Sequence, residues 1–166
     1  AELDSLLASI AGQKVGIDLE TTGLNPRRDV IRLVQIAIED VVFVVDCNAV
    51  GTDWIGSALA SVSMAIGHNL KFDLGFVLAL GHPFPPQVFD TFVAAQLLHA
   101  GETGVRFSLK AVAERYLGIA VDKTEQTSDW SGDLTPEQIE YAAKDASILL
   151  PLASVLAKAL NAANLI

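Results

Sequence analysis

"KVGIDLETTGLNPRRDVIRLVQIAIEDVVFVVD", residues 14–46, carries the pattern that sets the fold class. Val15, Ile17 and Leu19 alternate with Gly16, Asp18 and Glu20, the period-two signature of a strand with one apolar face, so residues 14–20 are predicted as a strand. Thr22, Gly23 and Asn25-Pro26 supply the turn chemistry that ends it. "VIRLVQIAI" (30–38) and "VVFVVD" (41–46) are rich in β-branched residues, and only Glu39 and Asp40 separate them, which predicts a hairpin. The first three strands are therefore expected to be sequential and antiparallel.

On the N-terminal side, Leu3, Leu6, Leu7 and Ile10 have helical spacing, so 2–10 is expected to be a short amphipathic helix. On the C-terminal side the pattern alternates. A helix is expected near 53–60, a short strand at 63–67, a helix from Asn69 to Leu80 stopped by Gly81 and Pro83, and a short strand at 87–90. Helices are expected near 91–99 and 108–117, and a loop over 118–134. Thr135, Pro136 and Gln138 form a helix start with a capping box, and Pro151 predicts a kink or break within the last helix. A strand meander followed by alternating helices and strands is an α/β fold with a mixed sheet.

The composition bounds the function. A chain of 166 residues, 51% hydrophobic, fits one globular domain with a full core. No uncharged apolar run approaches the roughly 18–20 residues of a membrane span. The start "AELDSLL" has no signal-peptide pattern and no initiating Met, so the chain is expected to be one domain, 1–166, taken from something longer. The single cysteine, Cys47, excludes an internal disulfide and suits a reducing, cytoplasmic setting. A net charge of −9 argues against a broad basic face for nucleic acid, though not against a small site that grips a strand end through metal ions.

The acids carry the chemistry. Asp18 and Glu20 are two apart on a strand, so both point to one face, where their charges repel unless a cation offsets them. In "HNLKFDLGF", Asn69 and Asp73 are four apart on one helical face; Asn69 has a plain reading as a helix cap, and Asp73 as a surface acid. In "TPEQIEYAAKDASILL", Tyr141 and Asp145 are again four apart, with small Ala142 and Ala143 between them; singly, they read as a core tyrosine and a solvated acid. Together, four carboxylates are enough to hold two hard divalent ions such as Mg²⁺ or Mn²⁺, and two such ions can stabilise both oxygens of an in-line phosphoryl displacement. A tyrosine hydroxyl beside them could orient or help deprotonate the attacking water.

"DLE" (18–20), "NLKFD" (69–73) and "YAAKD" (141–145), in that order, resemble the three exonuclease motifs of the DEDD superfamily of 3′-5′ exonucleases, in its tyrosine-type branch. The histidine-type branch has His five before the last aspartate, where this chain has Glu140. The resemblance covers nearly the whole chain. It implies an RNase H-like fold with a central mixed five-stranded sheet flanked by helices. "LETTGL" (19–24) and "HNLKFDLGFVLALG" (68–81) are more similar to the proofreading domains of family A DNA polymerases. Ribonuclease D is the next closest, although its usual Arg-Pro-Leu is replaced here by Gly132-Asp133-Leu134.

The resemblance further implies that Asp18, Glu20 and Asp145 bind one ion, that Asp18 is shared with a second, and that Asp73 acts on the second through water. Thr21, Leu24 and Asn69 would hold the terminal nucleotide, Leu24 as an apolar wedge. Phe72 and Phe107 have two readings, contact with bases and core packing, the second being the ordinary one. Trp130 is expected to pack under the last helix, and His68, His82 and His99 to be structural. Arg27, Arg28, Arg106 and Lys110 stay open between phosphate contact and solvation. The expected partners are the 3′ end of single-stranded DNA, with RNA as the alternative, the monophosphate product, and a polymerase domain in the same parent chain. An inactive structural module is the rival of another class; such domains lose acids, and none is lost here.

Overall fold

The structure, a computed structural model, describes residues 2–119 and 129–166. Helix α1 (Glu2–Ile10) leads into β1 (Lys14–Thr21), β2 (Ile31–Ile38) and β3 (Val41–Asp46), the meander expected from the alternation. A one-turn helix α2 (Cys47–Val50) follows, which the pattern does not signal; the Asp46 side chain starts it by accepting from Asn48 N–H. Then come α3 (Trp54–Ser61), β4 (Met64–Gly67), α4 (Leu70–Ala79), β5 (Val88–Asp90), α5 (Thr91–Leu98), α6 (Leu109–Leu117), α7 (Pro136–Ser147) and α8 (Leu149–Ala162). Of the expected loop over 118–134, residues 120–128 lie outside the described residues.

The sheet has five strands in the order β3-β2-β1-β4-β5. The pairs β1–β2 and β2–β3 are antiparallel, and β1–β4 and β4–β5 are parallel. β1 is thus central. Its residues Val15, Ile17 and Leu19 meet Ile36, Val34, Ile55, Leu59, Phe76 and Val77 in the main core, under α1, α3 and α4. The opposite face carries Gly16, Asp18 and Glu20, aligned with Ala37, Gln35 and Leu33 of β2.

Three local features bring α7 and α8 down onto that second face. Thr135 and Gln138 make the capping box reciprocally, Thr135 N–H donating to Gln138 Oε1 and Gln138 N–H to Thr135 Oγ1. A Cβ on Gly16 would sit 3.1 Å from Leu149 Cβ and 3.2 Å from the Ala146 carbonyl, so the glycine is what allows the contact. The break expected from Pro151 falls at Ile148, between α7 and α8. Proline has no N–H to give to the carbonyl four residues back, that of Ser147, and its ring crowds it, so α7 ends there. Residues 136–162 together are long and apolar enough on average to cross a membrane, although Lys144, Asp145 and Lys158 interrupt them and their apolar side supplies core residues such as Leu152, Leu156 and Leu160.

Candidate active site

β1 delivers Asp18 and Glu20 to the α7 side because alternation sends Ile17 and Leu19 to the other. A register shift, a β-bulge, falls between Glu20 and Thr21, where the strand leaves its partner. α4 brings Asp73, and α7 brings Tyr141 and Asp145. The four acids and the tyrosine line one cleft of about 320 Å³ together with His68, Asn69, Phe72, Phe92, Phe107 and the start of α6 at Ser108–Leu109.

Burial corrects the plain readings of two acids. Asp73 is 4% exposed and Asp145 9%, so neither is a surface acid. Among the described residues no lysine or arginine lines the cleft. Desolvation pushes the Asp18 carboxyl up to about 7, with the charge of Asp145 adding to it and a hydrogen bond from Leu19 N–H opposing. Desolvation and then the charges of Asp18, Asp145 and Asp73 push Glu20 up to about 9. Asp73 is raised well above the carboxylate range by burial and then by Asp18. Asp145 is raised by burial, against the hydrogen bond from the Tyr141 hydroxyl and the charge of Lys144. Tyr141 itself is driven far above the usual phenol range, by burial first and then by Asp145, so its hydroxyl stays protonated.

Four acids raised by burial, three of them also by neighbouring carboxylates, with Asp145 Oδ1 buried and without a partner, make a site that wants positive charge. Oxygen-only donors suit hard divalent cations. Among the described residues no three acid, histidine or cysteine side chains stand as a ready-made coordination group, so the carboxylates border the cleft rather than close on one point.

The other expected site residues divide. Phe72 and Phe107 line the cleft and also pack, Phe72 with its ring centroid 5.2 Å from that of Phe76 and Phe107 6.2 Å from Phe92. Asn69 lines the cleft too but does not cap α4. It is left-handed, with φ of 64°, and its side chain makes no capping bond. The cap comes from Asp90, whose carboxylate accepts from the N–H groups of Asn69, Leu70 and Phe92, each at 2.9 Å, and so ties α4 to the start of α5. Thr21 and Leu24 lie outside the cleft lining. Thr21 Oγ1 donates to the Gly23 carbonyl at 2.6 Å, and Leu24 stands 83% exposed on the turn. Trp130 is buried against Leu33 and Ala142 beside Tyr141.

His68, Phe92 and Ser108 are cleft residues that the motifs do not single out. His68 is held on both ring nitrogens, by Thr91 Oγ1 at 2.9 Å and the Phe107 carbonyl at 2.8 Å, and burial lowers its pKa. Phe92 follows directly on the cap residue Asp90 and Thr91, a signal for a helix start but not for a cleft. His82 and His99 bond elsewhere, to the Thr52 carbonyl and to Glu102 and Tyr116. Arg27, Arg28 and Arg106 are exposed, and with Lys110 they lie outside the lining.

Comparison with known proteins agrees with this geometry. The profile of a family described as 3′-5′ exonuclease matches residues 1–161. DNA polymerase I of Aquifex aeolicus is 38% identical over 146 residues, 87% of this chain and 24% of that protein. Ribonuclease D of Nitrobacter hamburgensis is 32% identical over 154 residues, 90% of this chain and 40% of that protein. The chain therefore spans less than half the length of either relative. Among solved structures, NrnC of Brucella melitensis bound to pGG superposes with a TM-score of 0.76 at 32% identity, covering 96% of this chain and 78% of that one. The same protein with bound Mg²⁺ gives 0.79 at 29% identity, covering 96% and 79%.

Proposed function

The chain belongs to the 3′-5′ exonuclease family, of DEDD type on an RNase H-like fold, and from that premise we propose that it trims single-stranded DNA from the 3′ end and releases nucleoside 5′-monophosphates. The observation that carries the reading is the meeting of Asp18, Glu20, Asp73, Asp145 and Tyr141 in one cleft that, among the described residues, contains no cationic side chain. Members of this family use divalent metals. The donors fit Mg²⁺ or Mn²⁺: Asp18, Glu20 and Asp145 would hold one ion, and Asp18 with Asp73 a second. When bound, such ions lower the pKa of a coordinated water and neutralise charge on the departing 3′ oxygen.

The chain's own groups do the rest. Tyr141, hydrogen-bonded to Asp145 and held protonated in the metal-free protein by burial and the neighbouring carboxylates, is set to orient the attacking water. Asn69, with no capping duty, is available to bond the terminal nucleotide. Phe72 and Phe107 offer aromatic faces to the terminal bases, and stacking on such faces is tolerant of sequence. The narrow cleft accepts a strand end more readily than a paired duplex, since the last bases must unpair to enter.

A proofreading role beside a polymerase domain is favoured by the higher identity to DNA polymerase I and by "LETTGL" and "HNLKFDLGFVLALG". A second reading, an RNA-trimming or short-oligonucleotide exonuclease, is favoured by the ribonuclease D relative and by NrnC, which is solved with pGG and over three quarters of which this chain covers. Initial rates on matched single-stranded DNA, RNA and dinucleotides in Mg²⁺ decide between them. Faster release from DNA is expected; a clear preference for RNA or for dinucleotides overturns the DNA assignment while leaving the exonuclease one.

A further inference from the structure

β2 puts one polar side chain in the middle of the buried sheet face. Gln35 is 0% exposed, and neither its Oε1 nor its Nε2 has a hydrogen-bond partner. Register fixes its surroundings. Asp18 lies opposite on β1 and Val44 opposite on β3, with Leu33 and Ala37 two residues away along β2. Leu33 packs against Ala142 of α7, and Ala37 and the Ala146 carbonyl close over Gly16. Gln35 therefore lies under the 142–146 turn, the turn that carries Asp145, whose Oδ1 is likewise buried and unpartnered.

A buried amide with both ends unsatisfied weakens a fold, and an apolar residue of the same size would serve a plain core better. Register does not need it either, because Leu33, Ala37 and Val44 already define the buried face. An unsatisfied amide opposite the Asp18 carboxylate, under the turn that carries Asp145, is the arrangement expected where the partner changes state.

We propose that Gln35 is a positioning residue of this site, its Nε2–H donating to the Asp18–Asp145 carboxylate pair once a divalent ion has drawn the two together. The inference rests on the metal-binding reading above. Cβ atoms of opposed cross-strand residues are about 4.5–5.5 Å apart, within the reach of a glutamine amide. A hydrogen bond to an ionised carboxylate is stronger than one between neutral groups. By occupying one carboxylate oxygen, it leaves the other directed to the ion, and groups with that task govern metal affinity.

The test is a titration of the metal-free protein with Mn²⁺, following the free ion by electron paramagnetic resonance, alongside the thermal midpoint of the metal-free protein. Gln35→Met keeps the volume and removes the amide. It is expected to weaken Mn²⁺ binding about tenfold or more, with the metal-free Tm at or above that of the wild type. Wild-type Mn²⁺ affinity in the variant overturns the proposal. Weaker binding accompanied by a lower metal-free Tm overturns it too, since that is the mark of lost packing. Gln35→Leu serves in the same way if the methionine variant does not fold. If the wild type binds no Mn²⁺, or Asp18→Ala binds it as the wild type does, the metal reading itself fails; if only the Gln35 variants bind normally, this inference alone fails.

Discussion

The two faces of β1 are made by alternate residues of one strand and obey opposite rules. Val15, Ile17 and Leu19 lie at or below 5% exposure among aliphatic and aromatic neighbours, and as aliphatic side chains they need no polar partner. Gly16, Asp18 and Glu20, one residue out of step, lie beside a glutamine with no partner, an aspartate oxygen with no partner, and carboxyls that raise one another. The first face is built for stability. The second costs stability, and a chain keeps such a cost where the groups are used.

Substitution on each face breaks the comparison in opposite ways. Asp18→Asn keeps the shape and removes a charge from the acid cluster. It is expected to lower monophosphate release from a labelled oligonucleotide by about a hundred- to a thousandfold, the range seen when a transition-state charge stabiliser is lost. Its metal-free Tm at pH 8 is expected to equal or exceed that of the wild type, because a mutually repelling carboxylate is gone. Ile17→Ala on the other face should do the reverse: about 2–5 kcal/mol of stability lost in urea unfolding, with activity per folded molecule largely retained. Equal loss of stability in both variants would show that the faces do not differ in kind.

Gly16 joins the two faces by shape alone. Its added Cβ in Gly16→Ala would meet Leu149 Cβ at 3.1 Å and both the Ala146 carbonyl and Ala37 Cβ at 3.2 Å, so α7 must shift away from the sheet. About 1–3 kcal/mol of destabilisation is expected from such overpacking. A fall in kcat beyond the folded fraction is expected as well, since the same helix carries Tyr141 and Asp145. Urea unfolding and single-turnover rates on the same sample separate the two.

The acid face also has a pH signature. The carboxyls of Asp18, Glu20, Asp73 and Asp145 titrate higher in the folded protein than in the unfolded chain. Above pH 4 these four carboxyls hold more protons in the native state than in the unfolded one, so their contribution to stability falls as pH rises, through about 7 for Asp18 and about 9 for Glu20, against a smaller opposite contribution from His68, whose pKa is lowered. The metal-free Tm is expected to drop by roughly 5 °C or more between pH 5 and 9. Adding Mg²⁺ or Mn²⁺ should recover it most at the alkaline end, where the acids are ionised and ready to bind. A metal-free Tm that rises over this range would contradict the shared-charge account of the cleft.

Much of this was legible from local pattern. The alternation at 15–20, the β-branched runs at 30–38 and 41–46, the Thr135–Gln138 capping box and Pro151 each act within a few residues, and each produces the element it predicts. What local pattern does not carry is rotation and partnership at a distance. Asp73 sits in a helix with apolar residues on every side, Phe72, Leu74 and Phe76 among them, so no stripe marks its face as the buried one. Asn69 occupies a capping position, but the bonds come from Asp90, which β5 brings alongside β4. Gln35 reads, with Arg32, as one of two polar residues in a β-branched run, and only the register with Asp18 and the descent of α7 make it notable. His68 and Phe92 enter the cleft through the parallel pairing of β4 and β5, which no sequence motif states.

Leu24 marks where the contrast between the faces ends. It lies four residues beyond Glu20, past the bulge, on a turn held by Asp29, whose carboxylate accepts from Asn25 N–H at 2.7 Å and sits where a Cβ on Gly23 would be. At 83% exposure the side chain contributes almost nothing to the core, so Leu24→Ala should leave the Tm within about a degree of the wild type. On the proposed reading this exposed apolar side chain would press on a terminal base entering the nearby cleft. Its truncation is expected to raise KM for single-stranded DNA a few-fold with kcat little changed, the pattern of lost uniform binding. A normal KM would remove Leu24 from the substrate path and confine the site to the cleft between β1, α4 and α7.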